Sequence, residues 1–392
     1  MPDLLALNTT LGYSAERAMS ARGSEWTLLT QTGRLGKALV IGKPGIVALS
    51  LLARQYRCLV AWFLDSDDEK AASSAGSTLG VELDTGHCLS SEVSTLLAAR
   101  QGQFDLIAIA CDIDRLLRDA RSTTADFFDS VHSALADDGQ CFVVTEIDPR
   151  LAGFRRKPEA VSRIPLRRLQ RALSFLPMQR TYFLYPDQNR PEEILGWSTE
   201  LPLRRSNRIT RILDKGGLLG PLHNSAAVLG ASRSAPSLLR TIIDGALSAS
   251  GAGAGANVER CLARDNGTMT VLLDGKEARA SSVLRIPLSL AADTRLRNAW
   301  TGLAEMRQSL PWLRDITPEP MASGLAQGMP YFLEHQCAGI TADSLVGEEN
   351  VRQRVSDTLL YFLLKFEARG EARDESAVAA FRDLVQVYFS EL

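Results

Sequence analysis

Between Leu35 and Asp148 the chain alternates between short runs that are apolar throughout and longer stretches whose apolar residues recur at helical spacing. "KALVIG", "CLVAWFLD", "VELDTG", "FDLIAIACD" and "QCFVVTEID" read as five strands. "IVALSLLARQY", "DEKAASSAGSTLG", "SEVSTLLAARQG" and "TTADFFDSVHSALADDG" read as the helices between them, three of them closed by Gly80, Gly102 and Gly139. Strands apolar on both faces and alternating with helices predict an α/β domain with a doubly wound, mostly parallel sheet covered on both sides.

The texture then changes. "PLRRLQRALSFL" has the pattern of a basic amphipathic helix, and "QRTYFLYPDQNRPEEILGW" and "HNSAAVLGASR" supply strands that fit an antiparallel hairpin closing the sheet. After the helical "APSLLRTIIDGALSAS", the run "GAGAGAN" at 251–257 has no side chain able to hold a core and marks a linker. Beyond it come three short strands with Asn266-Gly267 and Asp274-Gly275 at their turns, a helix capped by Asp293, another hairpin in "MASGLAQGMPYFLEHQCAG", and two amphipathic helices. The organisation expected is a helical extension at 1–34, an α/β domain at 35–233, a helix and linker at 234–256, and an α+β module at 257–392.

Composition supports two or three globular domains: 392 residues, 45% hydrophobic and 23% charged. No apolar run approaches the roughly 20 residues of a membrane span, and the N-terminus lacks the pattern of a secretion signal, so a cytoplasmic protein is expected. Six cysteines are scattered without a CxxC pair and sit in apolar runs such as "RCLVAWF", which reads as reduced core thiols with no metal site. The net charge of −2 is uneven. From Arg150 to Lys215 there are 15 Lys/Arg against 6 Asp/Glu, a balance of +9, leaving −11 for the rest. That block suits an anionic substrate, or solvated helix faces; without aromatic interleaving or a known motif, a nucleic-acid partner is not expected.

The turn "GKPG" after the first strand decides the function of this half. Ligands of an open parallel sheet bind beyond the carboxyl ends of its strands. Glycine there admits close approach, the next helix offers unpaired N–H groups, and Asp65 at the end of the second strand could accept two ribose hydroxyls. A lone Gly-x-x-Gly is also an ordinary strand–helix corner, and the motif alone leaves both readings open.

Residues 35 to about 150 resemble class I S-adenosylmethionine-dependent methyltransferases, through "ALVIGKPG", "VAWFLD", "FDLIAIAC" and "LADDGQCFVVTE", followed by the closing hairpin. The resemblance implies S-adenosylmethionine as cofactor. Gly42, Pro44 and Gly45 would lie against its methionine part, Asp65 on the ribose, Asp84 near the adenine, and Cys111 and Asp112 facing the methyl group. Pro44 stands where the family usually has a glycine. Asp112, Asp114, Glu146 and His223 are candidates by position for the acid–base work of methyl transfer, though each also fits a helix cap or surface group. The basic block falls on the acceptor side, implying an anionic small molecule or sugar-linked acceptor.

Residues 257–392 resemble the N-terminal lobe of aminoglycoside-phosphotransferase-like kinases, through "SSVLRIPLS", "RLRNAWTGLAEMRQSLPWL" and the last hairpin. Arg285 stands in place of the ATP-binding lysine, and the resemblance puts Asn298 or Glu305 nearest to it. None of His87, His132, His223 or His335 begins a His-x-Asp loop, so phosphoryl transfer by this chain is not expected. The alternative to an enzyme is a scaffold combining two degenerate modules, with a protein partner on the apolar "LLYFLLKF" of the C-terminal helices.

Overall fold

The structure is a computed structural model; it describes residues 23–31, 36–79, 83–147, 163–185, 191–196, 225–251, 256–264, 266–274, 281–309, 311, 314 and 317–336. His223, the expected C-terminal helices, and most of the N-terminal extension lie outside these residues. The strands are β1 (Lys37–Gly42), β2 (Cys58–Phe63), β3 (Asp84–His87), β4 (Phe104–Ala110), β5 (Leu135–Glu146), β6 (Met178–Tyr185), β7 (Glu193–Gly196), β8 (Ser225–Ala231), β9 (Asn257–Ala263), β10 (Thr268–Asp274), β11 (Ser282–Pro287), β12 (Pro320–Ala326) and β13 (Met329–His335). The helices are α1 (Ile46–Ala53), α2 (Ser66–Leu79), α3 (Ser90–Ala98), α4 (Ile113–Asp119), α5 (Thr124–Ala134), α6 (Leu166–Ala172), α7 (Leu238–Ala249) and α8 (Leu290–Ser309).

All thirteen strands belong to one sheet, ordered β12-β13-β11-β10-β9-β7-β6-β8-β5-β4-β1-β2-β3. Parallel pairing joins β3, β2, β1, β4 and β5, the five strands whose apolar runs predicted it. From β5 onward every pairing is antiparallel. The sheet is therefore mixed rather than mostly parallel. The closing pair is present with a twist of order: β8 inserts between β5 and β6, and the sheet does not stop there. Short β7 pairs with β6 on one side and β9 on the other, carrying the sheet past the Gly/Ala linker.

Two apolar layers cover the sheet. On one face a single continuous core runs from Val40, Phe63 and Phe142 in the N-terminal strands to Val271, Leu284 and Leu333 in the C-terminal ones, roofed by α1 and α7. The 3₁₀ turn Glu25–Leu29 joins this roof, with Trp26 stacked on Phe142 at 5.5 Å between ring centroids. On the other face α3, α4, α5 and α6 press Val93, Leu116, Phe127, Phe128 and Leu169 onto β1, β2, β4, β5 and β8. The helix after β11 begins at Leu290, three residues before its expected cap. Ser289 caps it, its hydroxyl accepting from Ala292 N at 3.2 Å, while Asp293 pairs with Arg297 one turn on.

Candidate functional site

The carboxyl ends of β1 to β5 meet at one edge, and most of the sequence-derived candidates gather there. Gly42 closes β1 at φ +118°. A Cβ built on it would lie 2.5 Å from the Ala110 carbonyl oxygen and 2.8 Å from Cys111 Cβ, so it is β4 that requires the glycine. Lys43 N donates to the same Ala110 carbonyl at 2.9 Å, pinning the turn to β4. Pro44 is buried and Lys43 exposed. The Lys43 ammonium reaches Asp68 Oδ1 at 2.8 Å, joining the β1 turn to the start of α2.

Gly45 has φ −65° and ψ 151° and is the N-cap of α1, with no side chain to offer. The four helices that leave β1 to β4 differ here. In α2, Asp65 Oδ1 accepts from Asp67 N at 2.8 Å, and acids at 67, 68 and 69 fill the first turn. In α3, Glu92 reaches back to Leu89 N at 3.1 Å. In α4, Asp112 Oδ1 accepts from Asp114 N at 3.1 Å and Arg115 N at 3.2 Å. Only α1 begins with neither a side-chain acceptor nor an acid in its first turn. The positive end of its dipole faces the edge uncompensated.

Asp65 is exposed, and its carboxyl is held below the ordinary 3.8 by the Asp67 amide first and the Asp68 amide second, with smaller contributions from Lys43 and His87. A carboxylate has room for about four hydrogen bonds, so its capping duty leaves capacity for hydroxyl donors. Asp84 does not follow β3. It opens the strand, paired with Val60, and His87 is the residue at the edge opposite Phe63. The four-residue strand starts later than "VELDTG" suggests, which puts Asp84 at the far end from Asp65.

Cys111 is half-buried, and burial with the adjacent Asp112 carboxylate pushes its thiol up to about 12. It is a protonated contact surface and not a nucleophile at neutral pH. Glu146 ends β5 and pairs with Arg163 at 2.5 Å. Sequence reasoning missed Thr145. This buried hydroxyl accepts from Ile113 N at 3.1 Å, so β5 satisfies the first amide of α4 and fixes the loop carrying Cys111 and Asp112. A threonine in an apolar strand gave no signal by itself.

Arg285 is buried on β11 between β10 and β13. Its guanidinium meets Glu334 Oε1 at 3.0 Å, a partner the resemblance did not name. Among the described residues no cluster of three or more His, Cys, Asp or Glu could hold a metal, and no helix is long and apolar enough to cross a membrane.

No protein family and no curated protein matches the sequence. Solved structures do show likeness. The YcgJ protein from Bacillus subtilis is 12% identical over 54% of this chain and 98% of its own, with a TM-score of 0.34. Geranyl diphosphate C-methyltransferase from Streptomyces coelicolor, in complex with geranyl diphosphate and S-adenosyl-L-homocysteine, is 12% identical over 54% of this chain and 76% of its own, with a TM-score of 0.35. WbdD, solved with a kinase inhibitor, is 11% identical over 86% of this chain and 65% of its own, with a TM-score of 0.32.

Proposed function

We propose that this chain is an S-adenosylmethionine-dependent methyltransferase whose cofactor lies in the corner between Gly42–Gly45 and Asp65. The start of α1 carries the proposal. Among the four helices that leave β1 to β4 it is the one whose start lacks an acidic or side-chain partner, and the methionine carboxylate of the cofactor supplies that charge. Across the corner, the exposed carboxylate of Asp65 accepts the ribose hydroxyls. When bound, the cofactor supplies an electrophilic methyl group on a sulfonium. Thr145 and Asp112 hold the β4 loop against it. Glu146, oriented by Arg163, is the base we assign for the acceptor's proton. The acceptor is an anionic small molecule or sugar-linked intermediate, in keeping with the balance of +9 between Arg150 and Lys215.

Calorimetry with S-adenosylhomocysteine tests this reading. Micromolar binding is expected, abolished in Asp65→Ala and weakened in Gly45→Leu; folded wild-type protein giving no heat would overturn it.

A second reading, a catalytically silent scaffold with a kinase-like C-terminal lobe, is favoured by Arg285. Its pairing with Glu334 occupies the group that would otherwise meet a phosphate.

A further inference from the structure

Helix α6 presents three arginines that no other described residue engages. Arg167, Arg168 and Arg171 are all exposed. At 100° per residue they fall on one face, and Arg171 stands within about 5–6 Å of each of the others at i+4 and i+3. Among the described residues no carboxylate or carbonyl accepts from any of the three. The rest of the helix is fully engaged. Leu169 and Leu173 beyond it are buried in the core, and Gln170 donates to Thr181 at 3.1 Å and accepts from Gln179 at 3.0 Å. Three like charges one turn apart, with no acid in "LRRLQRA", oppose the helix that carries them. A cost of this kind, carried by a helix whose leucines and Gln170 are engaged, marks a surface that a ligand completes.

The position of the helix bears on what that ligand is. Ile164, two residues before α6, bridges Ile147 just past the end of β5. Arg163 beside it holds Glu146. The arginine face thus begins next to the candidate site, on the side away from Asp65, and runs about one turn down the helix. Guanidinium groups match phosphate oxygens in forked pairs, and a triangle of three suits linked phosphates better than a lone carboxylate.

We infer that Arg167, Arg168 and Arg171 form a docking site for a diphosphate or polyphosphate group on a small-molecule acceptor, beyond the atoms that react. Naming the acceptor as carrier rests on the methyltransferase reading; the phosphate site itself does not.

Titration of the full chain with inorganic tripolyphosphate, followed by calorimetry and by thermal shift, is the test. Wild type is expected to bind at low millimolar or better and to weaken with added salt. The triple variant Arg167→Gln, Arg168→Gln, Arg171→Gln should lose about tenfold in affinity, equivalent to about 1.4 kcal/mol, and melt no lower than wild type. A triple Lys variant, which keeps the charge without the fork, should fall between the two and covers the case in which the Gln variant misfolds. Equal affinity in wild type and variants, or no binding by wild type, would overturn the inference. So would a single-stranded DNA oligonucleotide that displaces tripolyphosphate and binds more tightly, since the partner would then be nucleic acid. S-adenosylhomocysteine binding measured on the same variants separates the two proposals: its loss in wild type strikes the methyltransferase reading and leaves the phosphate result standing.

Discussion

Gly42 and Gly45 look alike in the sequence, yet they do different work. At φ +118°, with β4 backbone 2.5 Å from a would-be Cβ, Gly42 is required by the fold itself. Gly42→Ala should cost more than about 2 kcal/mol in denaturant unfolding whether or not cofactor is present. Gly45 lies at φ −65°, which any residue adopts, so Gly45→Ala should shift stability by less than about 1 kcal/mol and act on ligand binding instead. Asp65 links stability to pH with a definite sign. Its folded carboxyl is below the ordinary 3.8, so its contribution is present above 3.8 and is lost as pH falls through the lower folded value. The stability gap between wild type and Asp65→Asn should therefore hold constant from about pH 7 to about pH 5 and close in stronger acid, as urea unfolding at each pH will read. Cys111 gives a chemical check. With its thiol raised to about 12, it should resist alkylation at mildly alkaline pH while exposed Cys58 reacts, which peptide mass mapping resolves.

At the scale of elements, much of the parallel core was legible because its strands are apolar on both faces, a pattern that only a covered sheet explains. Helix α4 was not. Its seven residues, Ile113–Asp119, are too few for a period to show and run almost directly into α5. Its start is a small assembly whose parts lie far apart in sequence: Asp112 serves two amides, and Thr145, from β5, serves a third. Thr145→Val leaves the Ile113 amide buried without an acceptor and should cost about 1–3 kcal/mol, whereas Thr145→Ser should recover most of the loss. The candidate residues were readable as a set because sequence gives strand ends, and strand ends share an edge. The cap at Asp112 was among the readings the sequence left open; the cap at Asp65 was not, and Asp84 changed ends when β3 proved short. The identity of Glu334 as the partner of Arg285 depends on strand register across β11 and β13, which no local pattern encodes.

The whole molecule is held by features that the linker obscures. "GAGAGAN" separates two textures of sequence, yet the sheet crosses it through β7, with Ile194 opposite Cys261 and Glu193 bonded to Arg260 at 3.1 Å. One apolar core also lies beneath both parts. Helix α7, which precedes the linker in sequence, packs over the C-terminal hairpin, Gly245 lying close enough to Ala326 that a Cβ there would stand 3.4 Å away. A boundary in composition thus need not be a boundary in cooperativity. Two tryptophans report on the two parts: Trp26, stacked on Phe142, and Trp300, 5.6 Å from Phe332. In variants that keep one or the other as sole tryptophan, the fluorescence transitions in denaturant should coincide. Ile194→Ala, at a site 1% exposed in the joining strand, should lower both midpoints together at a cost of about 2–4 kcal/mol. Should Trp300 instead melt ahead of Trp26, with Ile194→Ala moving one midpoint alone, the continuous sheet would be two units in contact, and occupancy of one part could not be transmitted to the other through it.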